Sequence, residues 1–169
     1  MAFMRLLLLS DTHGVLDTRI AALAAQCDYV VHAGDVGSRA VLDALWPKHG
    51  LLAVCGNNDL PGKWPTQDHA VLKTLSSINE LDLPGGKLIV THGDRYPSRD
   101  RHRRLRAAYP HARAIVYGHS HRLVIDRDET PWVLNPGAAG RARTFGGPSC
   151  LLLAIERNKW CVSERRFPL

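Results

Sequence analysis

The chain has 169 residues, 45% of them hydrophobic and 22% charged, with a formal net charge of +6. That length suits a single domain over residues 1–169, one able to bury about 70% of its unfolded surface. Cys27, Cys55, Cys150 and Cys161 stand far apart and form no C-x-x-C pair, so neither a disulfide framework nor a structural zinc is required, and buried thiols in a reducing, cytoplasmic setting are expected.

In chain order, the first element is a Leu run at residues 6–9. It is too short for a membrane span and no small-residue cleavage pattern follows it, so it reads as a buried first strand. Apolar runs of strand length recur at 29–32, 51–55, 88–91 and 114–117, with helical spacing at 19–25 and 39–45. The opening is therefore β-α-β-α-β, which calls for parallel strands under covering helices. Residues 60–77, carrying Pro61, Gly62 and Pro65, read as a loop over or beside a site. Next, Leu105, Ala108, Tyr109 and Ala112 recur at i, i+3, i+4 and i+7, and Pro110 would end the pattern. This predicts a helix with one buried stripe and an exposed basic face of Arg99, Arg101, Arg103, Arg104 and Arg106. Beyond residue 120, runs at 123–125, 132–134, 150–155 and 160–164 are separated by turn signals and read as hairpins of a second sheet facing the first.

Seven side chains suited to metal ligation lie in five short Gly-containing segments: Asp11-Thr12-His13-Gly14, Gly34-Asp35, Gly56-Asn57-Asn58-Asp59, Thr91-His92-Gly93 and Gly118-His119-Ser120-His121. Imidazole, carboxylate and carboxamide groups suit borderline divalent metals, and ligands from several strand ends hold ions at one sheet edge. A lone Asp-x-His means little; its repetition after successive apolar runs points to a dinuclear centre. In extended chain, residues i and i+2 point the same way, so Asp11 with His13, and His119 with His121, would each face one site. The glycines would allow tight turns beside the ligands.

These motifs in this order, followed by Asn135-Pro136-Gly137, resemble the calcineurin-like metallophosphoesterase superfamily, and within it the small bacterial and archaeal YfcE-like phosphodiesterases, a branch that also contains the retromer scaffold subunit. The resemblance runs from Leu6 to about Ile155. It implies an α/β fold, a four-layer α-β-β-α sandwich of two facing mixed sheets flanked by helices, with the metals at strand ends. It further implies Asp11, His13 and His121 on one ion, Asn57, His92 and His119 on the other, and Asp35 bridging both. A solvent oxygen shared by two such ions loses its proton near neutral pH and becomes the nucleophile that cleaves a phosphate ester. Ligands without thiolate fit manganese, iron, zinc, nickel or cobalt; family habit favours manganese.

Asn58 departs from the pattern, because much of the superfamily has His there and the YfcE-like branch often Cys. A carboxamide does no acid or base work, although it can donate hydrogen bonds to a phosphate oxygen. Asp59 is expected to anchor the loop that presents Asn57 and Asn58. His32 is expected to pack beside the Gly34-Asp35 turn; His49, His69, His102 and His111 have no motif context. Arg141 and Arg143 are candidates to touch substrate, and the positive charge favours a small anionic phosphate ester. Two other readings stay open: a scaffold that keeps the fold without turnover, and a nucleic-acid binder, against which stands the lack of an aromatic stacking array near the arginines.

Overall fold

The structure is a computed structural model describing residues 3–169. In β1 (Phe3–Leu9), Leu6, Leu7, Leu8 and Leu9 are all fully buried. Alternate side chains leave a strand on opposite faces, so Leu6 and Leu8 enter one core cluster while Leu7 and Leu9 enter another. A strand apolar on both faces must lie inside a layered fold, and each such leucine contributes about 2 kcal/mol of burial.

Beside β1, β2 (Tyr29–His32) and β3 (Gly50–Ala53) run parallel, with Leu7 opposite Val30 and Val30 opposite Leu51. The crossovers are α1 (Thr18–Ala24), capped by Asp17, and α2 (Arg39–Asp43). Ile20 and Ala24 of α1 pack with Leu7 and Leu9 on the outer face. Residues 60–77 form two 3-10 turns, Pro61–Lys63 and Thr66–Asp68, and the short α3 (His69–Leu72). The second sheet comprises β4 (Ile78–Leu83), β5 (Gly86–Thr91), β6 (Ala114–Val116), β7 (Leu123–Asp126) and β8 (Trp132–Pro136), in the order β4-β5-β6-β8-β7. Between β5 and β6, α4 (Arg101–Ala108) seats Leu105 on Ile89, Ile115 and Val133. β9 (Ser149–Glu156) and β10 (Lys159–Arg166) complete the first sheet, β10-β9-β1-β2-β3.

Leu6, Leu8 and Val31 of the first sheet meet Leu88, Val90, Val116 and Leu134 of the second. With helices on the outer faces, this is the four-layer sandwich that the sequence implied. β1, β2 and β3 are mutually parallel, as are β5, β6 and β8. Each set therefore ends at one edge, where the loops after the strands gather.

Three expectations need correction. The hairpins beyond residue 120 do not form one second sheet: β7 and β8 join it, but β9 pairs with β1, placing Leu153 opposite Leu6 and Leu151 opposite Leu8. Local turn signals cannot say which sheet a hairpin joins; the Leu-rich inner face of β9 decides it by completing the core beside β1. β4 escaped the sequence reading because its Ile-Asn-Glu-Leu-Asp-Leu run alternates with charges on a mostly exposed sheet edge. The arginine face of α4 is only partly exposed. Arg101 is buried and donates from Nε to Tyr96 O at 2.9 Å, Arg106 pairs with Asp126 at 2.7 Å, and Ala108 faces solvent instead of the core. Of the cysteines, Cys27 and Cys150 are buried, Cys55 is half-buried and Cys161 is exposed. Among the described residues, no helix is long and apolar enough to cross a membrane.

Candidate metal centre

The ligand-bearing segments follow β1, β2, β3, β5 and β6 at the shared edge, yet they are not extended. Asp11, His13, Asp35, His119 and His121 all have positive φ, between 47° and 66°. The i, i+2 pairs converge because each member sits in a left-handed turn, a conformation costing on the order of 1 kcal/mol per residue and tolerated best by Asp, Asn and His. Backbone bonds over-determine these turns: Asp11 N donates to Gly34 O at 3.0 Å, His13 N to Asp35 O at 2.9 Å and Gly14 N to Val36 O at 2.8 Å. Two glycines are required by crowding. A Cβ at Gly56 would lie 2.2 Å from Asp35 Oδ1, and one at Gly118 would lie 1.9 Å from Ser10 Oγ.

All seven side chains are brought to one place. Single ligand atoms of Asp11, His13 and His121 lie within 4.8 Å of one another, as do those of Asp11, Asp35 and His92. His13 Nε2 faces His121 Nε2 at 3.1 Å, and Asp11 Oδ1 is 3.5 Å from the latter. Across the cluster, Asn57 Oδ1 is 3.2 Å from His92 Nε2 and 3.1 Å from His119 Nδ1. Asp35 Oδ2 stands between the two sets, 3.3 Å from His92 Nε2 and 3.7 Å from His13 Nε2. His92 Nδ1 donates to Ala33 O at 2.8 Å and His121 Nδ1 to Ala142 O at 3.0 Å, which aims each Nε2 at the cluster.

The electrostatics fit a cation. Burial pushes the Asp11 carboxyl up to about 7, against the pull of His92 and the Ser10 hydroxyl. Burial also lowers His13, His119 and His121 below the ordinary imidazole range, leaving neutral rings whose lone pairs converge. Burial opposes charge on His92 as well, but its hydrogen bond to Asp35 and the charges of Asp11 and Asp35 raise it to about 9. The Asp35 carboxyl lies well below the usual range, because the bond and charge of His92 and two bonds from Asn58 outweigh its burial. The His92 proton and the Asp35 carboxylate offset one another here, and these nitrogen and oxygen donors are a set that a divalent ion would satisfy in place of that proton.

Asn58, expected to reach a phosphate oxygen, is held instead on Asp35: its N–H donates to Oδ1 at 2.9 Å and Nδ2 to Oδ2 at 2.8 Å. Lys63 Nζ donates to Asn58 Oδ1. Asp59 accepts from the N–H groups of Val36, Gly37 and Gly56 and from Trp64 Nε1, all at 2.7–3.1 Å. His32 is buried, accepting from Gly34 N and sharing a hydrogen bond with Thr12 Oγ1. Arg141 and Arg143 are both exposed, and Arg143 places Nη2 3.1 Å from His121 Nε2. Sequence reasoning did not single out Lys63 and left His102 as a surface or structural residue; His102 is half-buried and bridges Asp126 Oδ2 at 2.6 Å and the Tyr117 hydroxyl at 3.0 Å. Neither carries a motif; only the fold brings them to their partners.

Residues 4–158 match the family model described as the calcineurin-like phosphoesterase superfamily domain. The chain belongs to this superfamily. A relative from Mycoplasma pneumoniae named "Probable metallophosphoesterase" is 26% identical over 141 residues, spanning 79% of this chain and 78% of that protein. Among solved structures, a single-mutant form of Vps29 from Entamoeba histolytica shares the fold with a TM-score of 0.74 at 16% identity, covering 97% of this chain and 99% of that one. A protein described as a novel archaeal phosphodiesterase shares it with a TM-score of 0.68 at 21% identity, covering 96% and 100%. The chain is thus a member of a metallophosphoesterase superfamily, and two groups at its sheet edge, Asp11 with His13 and His121 and Asp11 with Asp35 and His92, are candidate holders of a divalent metal.

Proposed function

We propose that the protein is a dinuclear metal-dependent phosphodiesterase acting on small anionic phosphate esters. The observation that carries this reading is Asp35, one carboxylate oxygen between two imidazole sets, 3.3 Å from His92 Nε2 and 3.7 Å from His13 Nε2. Asp11, His13 and His121 would hold one ion, and Asn57, His92 and His119 the other, with Asp35 shared and manganese the expected metal. Two bound divalent cations would supply an acidified water as nucleophile and draw charge from the phosphoryl oxygens. Arg143, already at His121 Nε2, is placed to bind a phosphoryl oxygen once that nitrogen is used as a ligand. The diester preference is favoured by the archaeal phosphodiesterase of the same fold.

The leaving oxygen lacks the imidazole that much of the superfamily offers. Asn58 fixes Asp35 and carries the Lys63 ammonium on its Oδ1, so the positive charge beside the leaving group comes from Lys63. An ammonium holds its proton more tightly than an imidazolium and is therefore the poorer general acid at neutral pH. Activated aryl diesters should therefore turn over well and alkyl diesters poorly. The test is metal analysis of the purified protein, then hydrolysis of an aryl diester, an alkyl diester and an aryl monoester with manganese and with chelator, in the native chain and in Asn58→His. The variant should narrow the gap between aryl and alkyl diesters. Folded protein that takes up no metal and cleaves none of the three would overturn the enzyme reading in favour of a scaffold.

A further inference from the structure

We infer that the cleft between Ile78 and Tyr96 is the subsite for one organic arm of the ester, and that this arm is a nucleoside. The inference rests on the phosphodiesterase reading and names a substrate class for it. Two clefts open on the ligand cluster. One is lined mainly by polar and charged side chains, His13, Asp35, Asn58 and Lys63 among them. The other, of about 250 Å³, has Asn57 at one end and takes Ile78, Thr91, Arg95, Tyr96 and Tyr109 into its lining. Its volume is below the roughly 300–1,000 Å³ of sites that enclose a whole drug-sized ligand, so it suits one ring-bearing part of a substrate whose phosphate lies at the metals.

The lining chemistry selects the ring. The Tyr96 hydroxyl donates to the Tyr109 hydroxyl at 3.3 Å, which orders two aromatic side chains beside a ligand residue. Their packing against Leu105 and Ile89 beneath fixes them further. At the mouth, Ile78 stands 39% exposed at the start of the edge strand β4, a large apolar side chain that packing does not require there. Phosphoryl chemistry has no use for Ile78 or for the two tyrosine rings. A planar heteroaromatic base uses all of them: its faces stack on tyrosine and isoleucine, its polar edge meets hydroxyls, and Arg95 stacks or donates at the rim. An aliphatic alcohol would leave the hydroxyls and the guanidinium unused, and a purely anionic group would favour the Lys63 cleft.

The test compares adenosine 5′-(p-nitrophenyl) phosphate with methyl p-nitrophenyl phosphate, which share a leaving group, on the manganese-loaded protein. The expected kcat/KM ratio is at least about tenfold in favour of the nucleoside ester, the size of one good stacking contact. Tyr96→Ala and Ile78→Arg should each bring the ratio toward one, while Tyr96→Phe, which keeps the ring and loses the hydroxyl, should lower it only in part. Ile78 is exposed, so its variant keeps the test sound if Tyr96→Ala fails to fold. Separately, adenosine added to chelator-treated protein should shift the Tyr96 and Tyr109 ring resonances, and Ile78→Arg should abolish the shifts. If neither ester is cleaved yet adenosine moves those resonances, the enzyme reading fails and the subsite stands. If both esters are cleaved at equal efficiency with no shifts, the subsite falls and the enzyme stands. A high ratio untouched by Tyr96→Ala and Ile78→Arg also overturns the subsite, and absence of both cleavage and shifts overturns both.

Discussion

The cluster around Asp11, His13 and His121 and the cluster around Asn57, His92 and His119 come from similar strand-then-glycine segments, but they are held differently. In the first, Asp11 and His121 are almost wholly buried, with Ser10 Oγ on Asp11 at 2.7 Å and Ala142 O on His121 at 3.0 Å. In the second, only His92 is buried; Asn57 is exposed and His119 half-exposed. The first also has a carboxylate of its own, whereas the second contributes a neutral carboxamide. One half is thus pre-organised around a buried carboxyl that a cation would ionise, and the other is completed by a loop at the surface. An ion in the first should bind more tightly, because charge and burial both favour it there.

The largest effect should come from removing what the halves share. Asp35→Asn takes the carboxylate from both sets, so metal content should fall for both ions and diester hydrolysis by about 10³-fold or more, in line with the several kcal/mol a metal pair supplies. Elemental analysis and steady-state rates check it. Activity within tenfold of the native chain would break the picture of a shared ligand.

His121→Ala and Asn57→Ala separate the halves. His121→Ala should lower activity about 100-fold and not recover with added manganese, since a buried anchored ligand is gone. Asn57→Ala should lose about tenfold and recover substantially in millimolar manganese, since a weak exposed ligand only shifts occupancy. Equal rescue of both would erase the distinction between a tight and a weak half.

Much of this centre was legible in sequence because each ligand segment is local: Asp11-Thr12-His13-Gly14 or Gly118-His119-Ser120-His121 marks a strand end whatever lies across from it. The two-sheet architecture was legible through the apolar runs. What was not legible depends on partners distant in sequence. The Asp35 bonds of Asn58 span 23 residues, Lys63 reaches the site through a 3-10 turn with no motif, and the pairing of β9 with β1 joins opposite ends of the chain. The left-handed ligand turns were hidden for another reason. Asp and His tolerate that conformation without requiring it, so only the backbone bonds between the loops after β1 and β2 reveal it.

The surface half depends on Asp59, which ties residues 56–59 to the loop after β2 and to Trp64. Asp59→Ala would leave three backbone N–H groups and an indole N–H without their acceptor, a loss of roughly 2–4 kcal/mol. Chemical denaturation should show it as a lower midpoint. The second half should suffer more than the first, with ion affinity falling at the Asn57 side even where the protein stays folded. Equal weakening of both ions would mean that Asp59 acts on the fold alone.

The smallest effect is a pH dependence of stability at a group that braces both halves. His32 is fully buried between Thr12, which precedes His13, and Gly34, which precedes Asp35. Burial lowers its pKa from 6.5 to about 4. The unfolded chain therefore takes up a proton as pH falls through 6.5, while the folded chain does not until about 4. Between those values the unfolded state binds more protons, so the stability tied to neutral His32 is complete above the upper value and is lost as pH falls toward the lower one. Unfolding free energies measured across that window in the native chain and in His32→Asn should differ in slope, the variant being flatter. Identical slopes would show that His32 takes up its proton in the folded state as readily as in the unfolded one, and that the brace between the two ligand loops is not closed to protonation.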